Sequence, residues 1–317
     1  MNLTPPLLPR PELSIVIPTY NEEDNVVQIT QAVMAQVAPL VASFEIVLID
    51  NGSTDRTRAL IRELCAQHAF VRGIFNARNF GQMRSPTHGI FASRGRAVVG
   101  MCADFQDPPE LLPQFIEHWR KGSPIVLAAR ESEQTGPLLG LFRRLSYRVL
   151  EELGEVKTIT GATGFGLYDG KVLDILRQWN DPEPFFRAML VETGFPIHVI
   201  PYRRPERERG ASKNNWRSLT GFALSALPLV SRNVFRLGFV TSLAFLAGGV
   251  ALALMAGPAA LLSTAWPWLL GAGVGVALLG CVTGLISILG LQVMAVSDRV
   301  RGVPLVVELE RINFPQA

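Results

Sequence analysis

The sequence predicts an α/β protein with a doubly wound, mostly parallel sheet, followed by an interfacial helix and two transmembrane helices. Three observations carry that prediction. Short apolar runs alternate with helix-length segments through the first 130 residues, the order expected of βαβ units. Acidic and amide side chains gather where those runs end, and open α/β sheets collect ligands outside the carboxyl ends of their strands. From Leu237 to Ser297 there is no charged residue, too long a stretch for one crossing, which needs about 20 helical residues.

The elements follow in order. Leu13–Pro18 reads as a strand ending at Thr19-Tyr20-Asn21-Glu22-Glu23, and a helix capped by Asn21 continues toward Val37. Phe44–Asp50 is a second strand, running into Asn51-Gly52-Ser53-Thr54-Asp55, a turn that opens a helix reaching His68. Val71–Phe75 is the third strand, and a loop from Asn76 to Gly81 leads into a helix over 84–93. Ala97–Met101 is wholly apolar and reads as a buried strand. Behind it stands Ala103-Asp104-Phe105-Gln106-Asp107-Pro108-Pro109-Glu110. Asp104 and Gln106 are two residues apart and in extended chain point the same way. Such oxygens suit Mg²⁺ or Mn²⁺, which is held by few protein ligands plus substrate phosphates. A helix over 110–120 and a strand at Ile125–Ala129 follow, the latter ending at Arg130.

Beyond that point the pattern is less regular. Residues 137–153 read as an amphipathic helix carrying Arg143, Arg144 and Arg148; Thr160–Gly166 as a Gly/Thr-rich loop; 170–178 as a helix; Phe195–Pro201 as a strand. Arg203–Lys213 is a strongly basic loop, and Trp216–Asn233 is amphipathic and suited to a membrane interface. Gly257-Pro258 and Trp266-Pro267-Trp268 divide the uncharged stretch into two spans, roughly 237–257 and 268–296. Arg232 and Arg236 precede the first, Arg299 and Arg301 follow the second, and the connecting turn has no basic residue. The positive-inside rule then puts both flanks in the cytoplasm, in the cytoplasmic (inner) membrane. The expected boundaries are a cytoplasmic catalytic domain over 1–215, a juxtamembrane helix over 216–236, a hairpin over 237–297 and a cytoplasmic tail over 298–317.

Composition excludes several classes. A net charge of +3 is too small to argue for nucleic acid, and the mean hydropathy of +0.25 traces to the membrane stretch. Cys65, Cys102 and Cys281 are far apart, show no metal spacing and fit a reducing compartment. The four histidines also lack metal spacing. Residues 1–10 are Pro-rich without a signal-peptide core.

The ordered set Ile15–Glu22, Val47–Thr57, Arg78-Asn79-Phe80-Gly81, Asp104–Glu110 and Arg207–Lys213 resembles family 2 glycosyltransferases of the GT-A fold, over about 215 residues. Within them it is most similar to bacterial polyprenyl-phosphate glycosyltransferases and dolichol-phosphate mannose synthases. The resemblance implies that Pro18, Tyr20, Glu22, Asp50, Gly52, Ser53, Arg78, Arg130 and Ser212 line a nucleotide-sugar site. It implies catalytic roles for Asp104, Gln106, Asp107, Arg207 and Lys213, with Asp104 and Gln106 as metal ligands. Arg143 and Arg144 are candidates for the lipid phosphate. The chain departs from the family's pattern at Asn51 and Cys102, where relatives often carry acids, and at Gly164 and Gly166, where relatives carry an acid and an arginine.

The expected function is metal-dependent, inverting transfer of a hexose from a nucleotide diphosphate sugar to polyprenyl (undecaprenyl) phosphate at the cytoplasmic face. UDP-glucose is the first candidate donor and GDP-mannose the second. The resemblance also implies a homo-oligomer. Two alternatives stay open at this point. One is a processive polysaccharide synthase, although the Gln-x-x-Arg-Trp motif of those enzymes is missing. The other is a non-catalytic membrane adaptor, for which Cys102, Gly164 and Gly166 speak.

Overall fold

The computed structural model describes residues 10–130, 159, 161–179, 181–182, 184–203 and 302–315, together with scattered positions between 271 and 300. The chain divides into two units. The first comprises 1–135, 157–213 and 302–317; the second comprises 136–156 and 214–301.

The first unit is a single eight-stranded sheet. Its elements are β1 (Leu13–Thr19), α1 (Val26–Val37), β2 (Phe44–Asp50), α2 (Thr57–Gln67), β3 (Val71–Asn76), α3 (Gly81–Ala92), β4 (Ala97–Gly100), α4 (Leu112–Arg120), β5 (Ile125–Arg130), β6 (Ala162–Asp169), α5 (Gly170–Leu176), α6 (Phe186–Glu192), β7 (Ile197–Tyr202) and β8 (Glu308–Ile312). Across the sheet the order is β7-β5-β6-β4-β1-β2-β3-β8. β6 pairs antiparallel with β4 and β5, and β8 antiparallel with β3; every other pairing is parallel. The carboxyl ends of β1 to β5 and β7 therefore share one edge.

The strands read as unbroken apolar runs because both faces are covered. Ile15, Ile17, Ile46, Leu48 and Val99 pack with Ile29 and Val33 of α1, Ile61 of α2 and Phe115 of α4. Val16, Val47, Ile49 and Val98 alternate to the other face and pack with Ile90 of α3, Leu173 of α5 and Leu190 of α6. Each such side chain, fully buried, contributes about 1.5–3 kcal/mol against the entropy of folding.

Two stretches differ from expectation. Thr160–Gly166, expected as a loop, supplies the first residues of β6 from Ala162 on. Gly166, which suggests a loop, has a packing cause instead: a Cβ there would lie 2.4 Å from the Val126 carbonyl oxygen on β5. Residues 302–315, expected as a tail, return to the sheet. β8 covers the β3 edge in register Gly73↔Ile312 to Phe75↔Glu310. Arg84 of α3 donates to the carbonyls of Leu305 and Pro304, both at 2.7 Å. Arg62 of α2 pairs with Glu310 at 2.7 Å, and Glu308 is bound by His88 and Arg311. Against burial, which alone raises it, these bonds pull the Glu308 carboxyl down to about 2. Asn313 closes the strand, its Nδ2 donating to the carbonyls of Cys65 and Val71 at 2.7 and 2.8 Å.

In the second unit the described positions between Gly271 and Val300 are helical. Among the described residues no helix is long and apolar enough to cross a membrane, and most of 237–297 lies outside them. The expected helices over 137–153 and 216–233 and most of the basic loop 203–213 lie outside them as well.

Candidate active site

The loops that leave β1 to β4, with the last residue of β5, carry the expected residues that are described to the shared edge. Pro18 stands near the end of β1 and Tyr20 and Glu22 follow the strand, all half-buried. Asn21 does not cap a helix, because α1 begins only at Val26. It sits at φ 55° and ties the first loop to the second: its N–H donates to Ser53 Oγ at 2.9 Å, and its Oδ1 accepts the Thr54 N–H at 2.8 Å. Glu22 fastens the same pair of loops, its N–H donating to Thr57 Oγ1 at 2.8 Å.

The second loop is shaped by Asp50, which is fully buried. Its carboxylate accepts the Gly52 and Ser53 N–H groups at 3.2 Å and the Arg58 Nε at 2.7 Å. Arg58 also donates to the Asn76 carbonyl at 2.7 Å, joining the ends of β2 and β3. Gly52 has φ 82°, and a Cβ there would stand 2.7 Å from the Arg78 carbonyl carbon and the Asn79 nitrogen. A side chain at this position would push the third loop away.

Asn51 explains one departure from the family pattern. Its Nδ2 donates to Asn79 Oδ1 at 3.0 Å and to the Gly81 carbonyl at 3.2 Å. Its Oδ1 accepts from the Phe80 N–H at 2.9 Å and from Asn76 Nδ2 at 3.3 Å. A carboxylate could accept but not donate, so this loop arrangement needs an amide. Arg78 itself is exposed, with its guanidinium 4.1 Å from the Phe80 ring centroid.

The turn after β4 corrects a second expectation. β4 stops at Gly100, and Asp104 and Gln106 are not on an extended strand. Phe105 lies at φ 58°, left-handed backbone that costs a non-glycine residue about 1–3 kcal/mol. Asp104 Oδ1 accepts the Gln106 N–H at 3.2 Å, making an Asx-type turn. Both oxygen-bearing side chains remain in this turn, Asp104 nearly buried and Gln106 half-buried. Among the described residues no three His, Cys, Asp or Glu side chains cluster as a metal cage. The donor set fits a hard cation that takes most of its shell from phosphates and water. Asp107 is 2% exposed and points inward: it accepts the Cys102 N–H at 2.8 Å and the Tyr202 hydroxyl at 3.3 Å. Burial and the Asp107 charge raise the Tyr202 pKa, while Thr163 and Arg130 beside the hydroxyl restrain it.

Arg130 ends β5 on the same edge, and its Nε is buried without a hydrogen-bond partner among the described residues. Arg143, Arg144, Arg207, Ser212 and Lys213 lie outside the described residues. Sequence reasoning missed Asn51 as a hub, Arg58 as the partner of Asp50, and Tyr202. The Asp-Arg-Thr-Arg run at 55–58 could have signalled Arg58; nothing local signals Tyr202.

Residues 14–166 match the sequence model of Glycosyl transferase family 2. The chain is similar to an uncharacterised glycosyltransferase of Synechocystis, 32% identical over 217 residues that make up 68% of each chain. It is similar to bactoprenol glucosyl transferase of Shigella phage SfX, 29% identical over 243 residues, 75% of this chain and 80% of the relative. A prophage bactoprenol glucosyl transferase homologue of Escherichia coli is 28% identical over 243 residues, 75% of this chain and 79% of that one. With a mixed α/β sheet, the matching family model and these relatives, the chain belongs to glycosyltransferase family 2.

Proposed function

We infer that this glycosyltransferase moves glucose from UDP-glucose to a polyprenyl phosphate such as undecaprenyl phosphate, at the cytoplasmic face of the cytoplasmic membrane. The single observation that carries the reading is the pairing of the Asp104–Gln106 turn with an uncharged stretch, 237–297, in one chain. The first suits a sugar nucleotide and the second a lipid acceptor. The names of the bactoprenol glucosyl transferases support glucose and a prenyl acceptor.

Asp104 and Gln106 would hold Mg²⁺ or Mn²⁺, which when bound neutralises the diphosphate and makes it a better leaving group. Tyr20 and Glu22, half-buried at the mouth of the first loop, would stack on and accept from the nucleoside. The buried Arg130 Nε offers a donor to a phosphate oxygen, and a guanidinium fork matches phosphate in pairs. A phosphate oxygen of the lipid attacks the anomeric carbon, the bond from that carbon to the nucleoside diphosphate breaks, and the configuration inverts. A phosphate dianion is already a competent nucleophile near neutral pH, its second ionisation lying near pH 6, so Gly164 and Gly166 need not be a base. Arg207 and Lys213 would add positive charge at the donor, and Arg143 and Arg144 at the acceptor. A homo-oligomer in the bilayer completes the proposal.

The test is direct. Purified protein in nanodiscs receives undecaprenyl phosphate, Mg²⁺ or Mn²⁺ and either UDP-glucose or GDP-mannose, and the lipid product is weighed by mass spectrometry. Addition of one hexose from UDP-glucose is expected. No lipid product from either donor, or a polymer in place of a monosaccharide, would sink the reading.

A further inference from the structure

Resting on that reading, we propose that Tyr202 is a positioning residue that holds the metal-binding turn in shape. The turn needs holding. From Met101 to Pro108 the chain has no regular strand or helix, and Phe105 sits in left-handed backbone. The placement of Asp104 and Gln106 therefore depends on side-chain bonds. Asp107 supplies them: one oxygen takes the Cys102 N–H at 2.8 Å and closes the turn on itself. The other takes the Tyr202 hydroxyl at 3.3 Å, and so ties the turn outward to β7. β5 and β6 lie between β7 and β4 in the sheet, so this bond reaches across the strands to a fixed point.

The fixed point is itself rigid. Tyr202 is 5% exposed. Its ring meets Phe165 of β6 edge-on at 5.9 Å between centroids, and Phe165 meets Phe115 of α4 edge-on at 4.9 Å. That ladder of rings aims the hydroxyl before any ligand arrives. A phenol is protonated at neutral pH and so donates to the Asp107 carboxylate. Asp107 is thus an anchor of the turn, not a group that meets the sugar.

The test uses the full chain in detergent. Mn²⁺ is titrated in the presence of UDP and the free ion is followed by electron paramagnetic resonance; UDP without metal is titrated by calorimetry. Tyr202→Phe keeps the ring ladder and removes only the hydroxyl. Its Mn²⁺ affinity should fall roughly three- to tenfold, the scale of one hydrogen bond, with metal-free UDP binding unchanged. In transfer assays the Mn²⁺ concentration for half-maximal rate should rise, and saturating Mn²⁺ should restore kcat. Asp107→Ala should weaken Mn²⁺ as well, and more, because it also loses the Cys102 bond, and Tyr202→Phe should add nothing in that background, where the hydroxyl has lost its Asp107 acceptor. Wild-type Mn²⁺ affinity in Tyr202→Phe, an additive double variant, or a melting loss large enough to mark a general structural role would each overturn the proposal while leaving glucosyl transfer intact. No Mn²⁺ uptake by the wild type with UDP would overturn both.

Discussion

Replacing Asn51 by Asp tests the loop hub, because the change is isosteric and leaves no cavity. Asn51 is 7% exposed. The variant loses the two bonds that Nδ2 donates to Asn79 Oδ1 and to the Gly81 carbonyl. Two neutral hydrogen bonds are worth about 1 kcal/mol each, and an acceptor left facing acceptors away from water costs about 1–3 kcal/mol more. The new charge also stands beside the buried Asp50 in sequence and in the loop. The sum is about 3–5 kcal/mol, which for a domain of this size lowers Tm by about 6–20 °C. Differential scanning fluorimetry of the purified protein measures it. UDP should stabilise the variant less than the wild type, since the Arg78–Gly81 loop has lost its tether. The deficit should narrow on acidification, because a protonated carboxyl regains one donor and the folded state then favours the protonated form. A Tm within about 2 °C of wild type at neutral pH, equivalent to about 1 kcal/mol or less, would refute the hub.

Three further outcomes are expected. Gly52→Ala should cost at least about 2 kcal/mol, from left-handed backbone and contact with the Arg78–Asn79 peptide, and should weaken UDP binding; an alanine variant as stable as wild type removes the steric reason given. Asp104→Asn should reduce sugar transfer by about 100-fold and weaken Mn²⁺ binding while leaving metal-free UDP binding in place, and an unchanged Mn²⁺ dependence would exclude Asp104 as a ligand. Glu308 has a depressed pKa of about 2 against an ordinary 4.5, so its contribution is complete above pH 4.5 and is lost as pH falls toward 2. Acid unfolding followed by circular dichroism should therefore show a shallower loss over that window in Glu308→Gln, and parallel curves would count against the attachment.

The parallel strands were legible because burial on both faces turns them into apolar runs, as in Ile15-Val16-Ile17 and Val47-Leu48-Ile49. The site was legible at the level of loops, since the polar residues that follow each run do meet at one edge. What stayed hidden was conformation and partnership. Two oxygen-bearing residues two apart suggest an extended pair, but Phe105 turns the chain out of extension. Gly166 imitates a loop, because the same lack of a side chain that frees a loop also admits a close strand, while Gly164 sits at φ 94° within β6. β8 has only Leu309 and Ile312 as apolar residues among Glu308, Glu310 and Arg311, and its partner is remote, so no local pattern announces it. Asn51 looks like a common turn residue, since a donor to a loop 28 to 30 positions away in sequence leaves no mark on its neighbours.

The return of residues 302–315 to the sheet has a consequence for membrane passage. The chain leaves the first unit after Lys213 and re-enters it at Gly302. Both ends of the intervening segment are thus committed to the same side of any bilayer, and that segment can traverse one only an even number of times. Parity, not hydropathy, then rules out a single or triple pass. It also sets an order of assembly: the Asn313 side chain bonds the Val71 carbonyl across 242 positions of sequence. The β3 edge stays bare through synthesis of everything in between, and an unpaired edge is where a neighbouring chain can pair in its place.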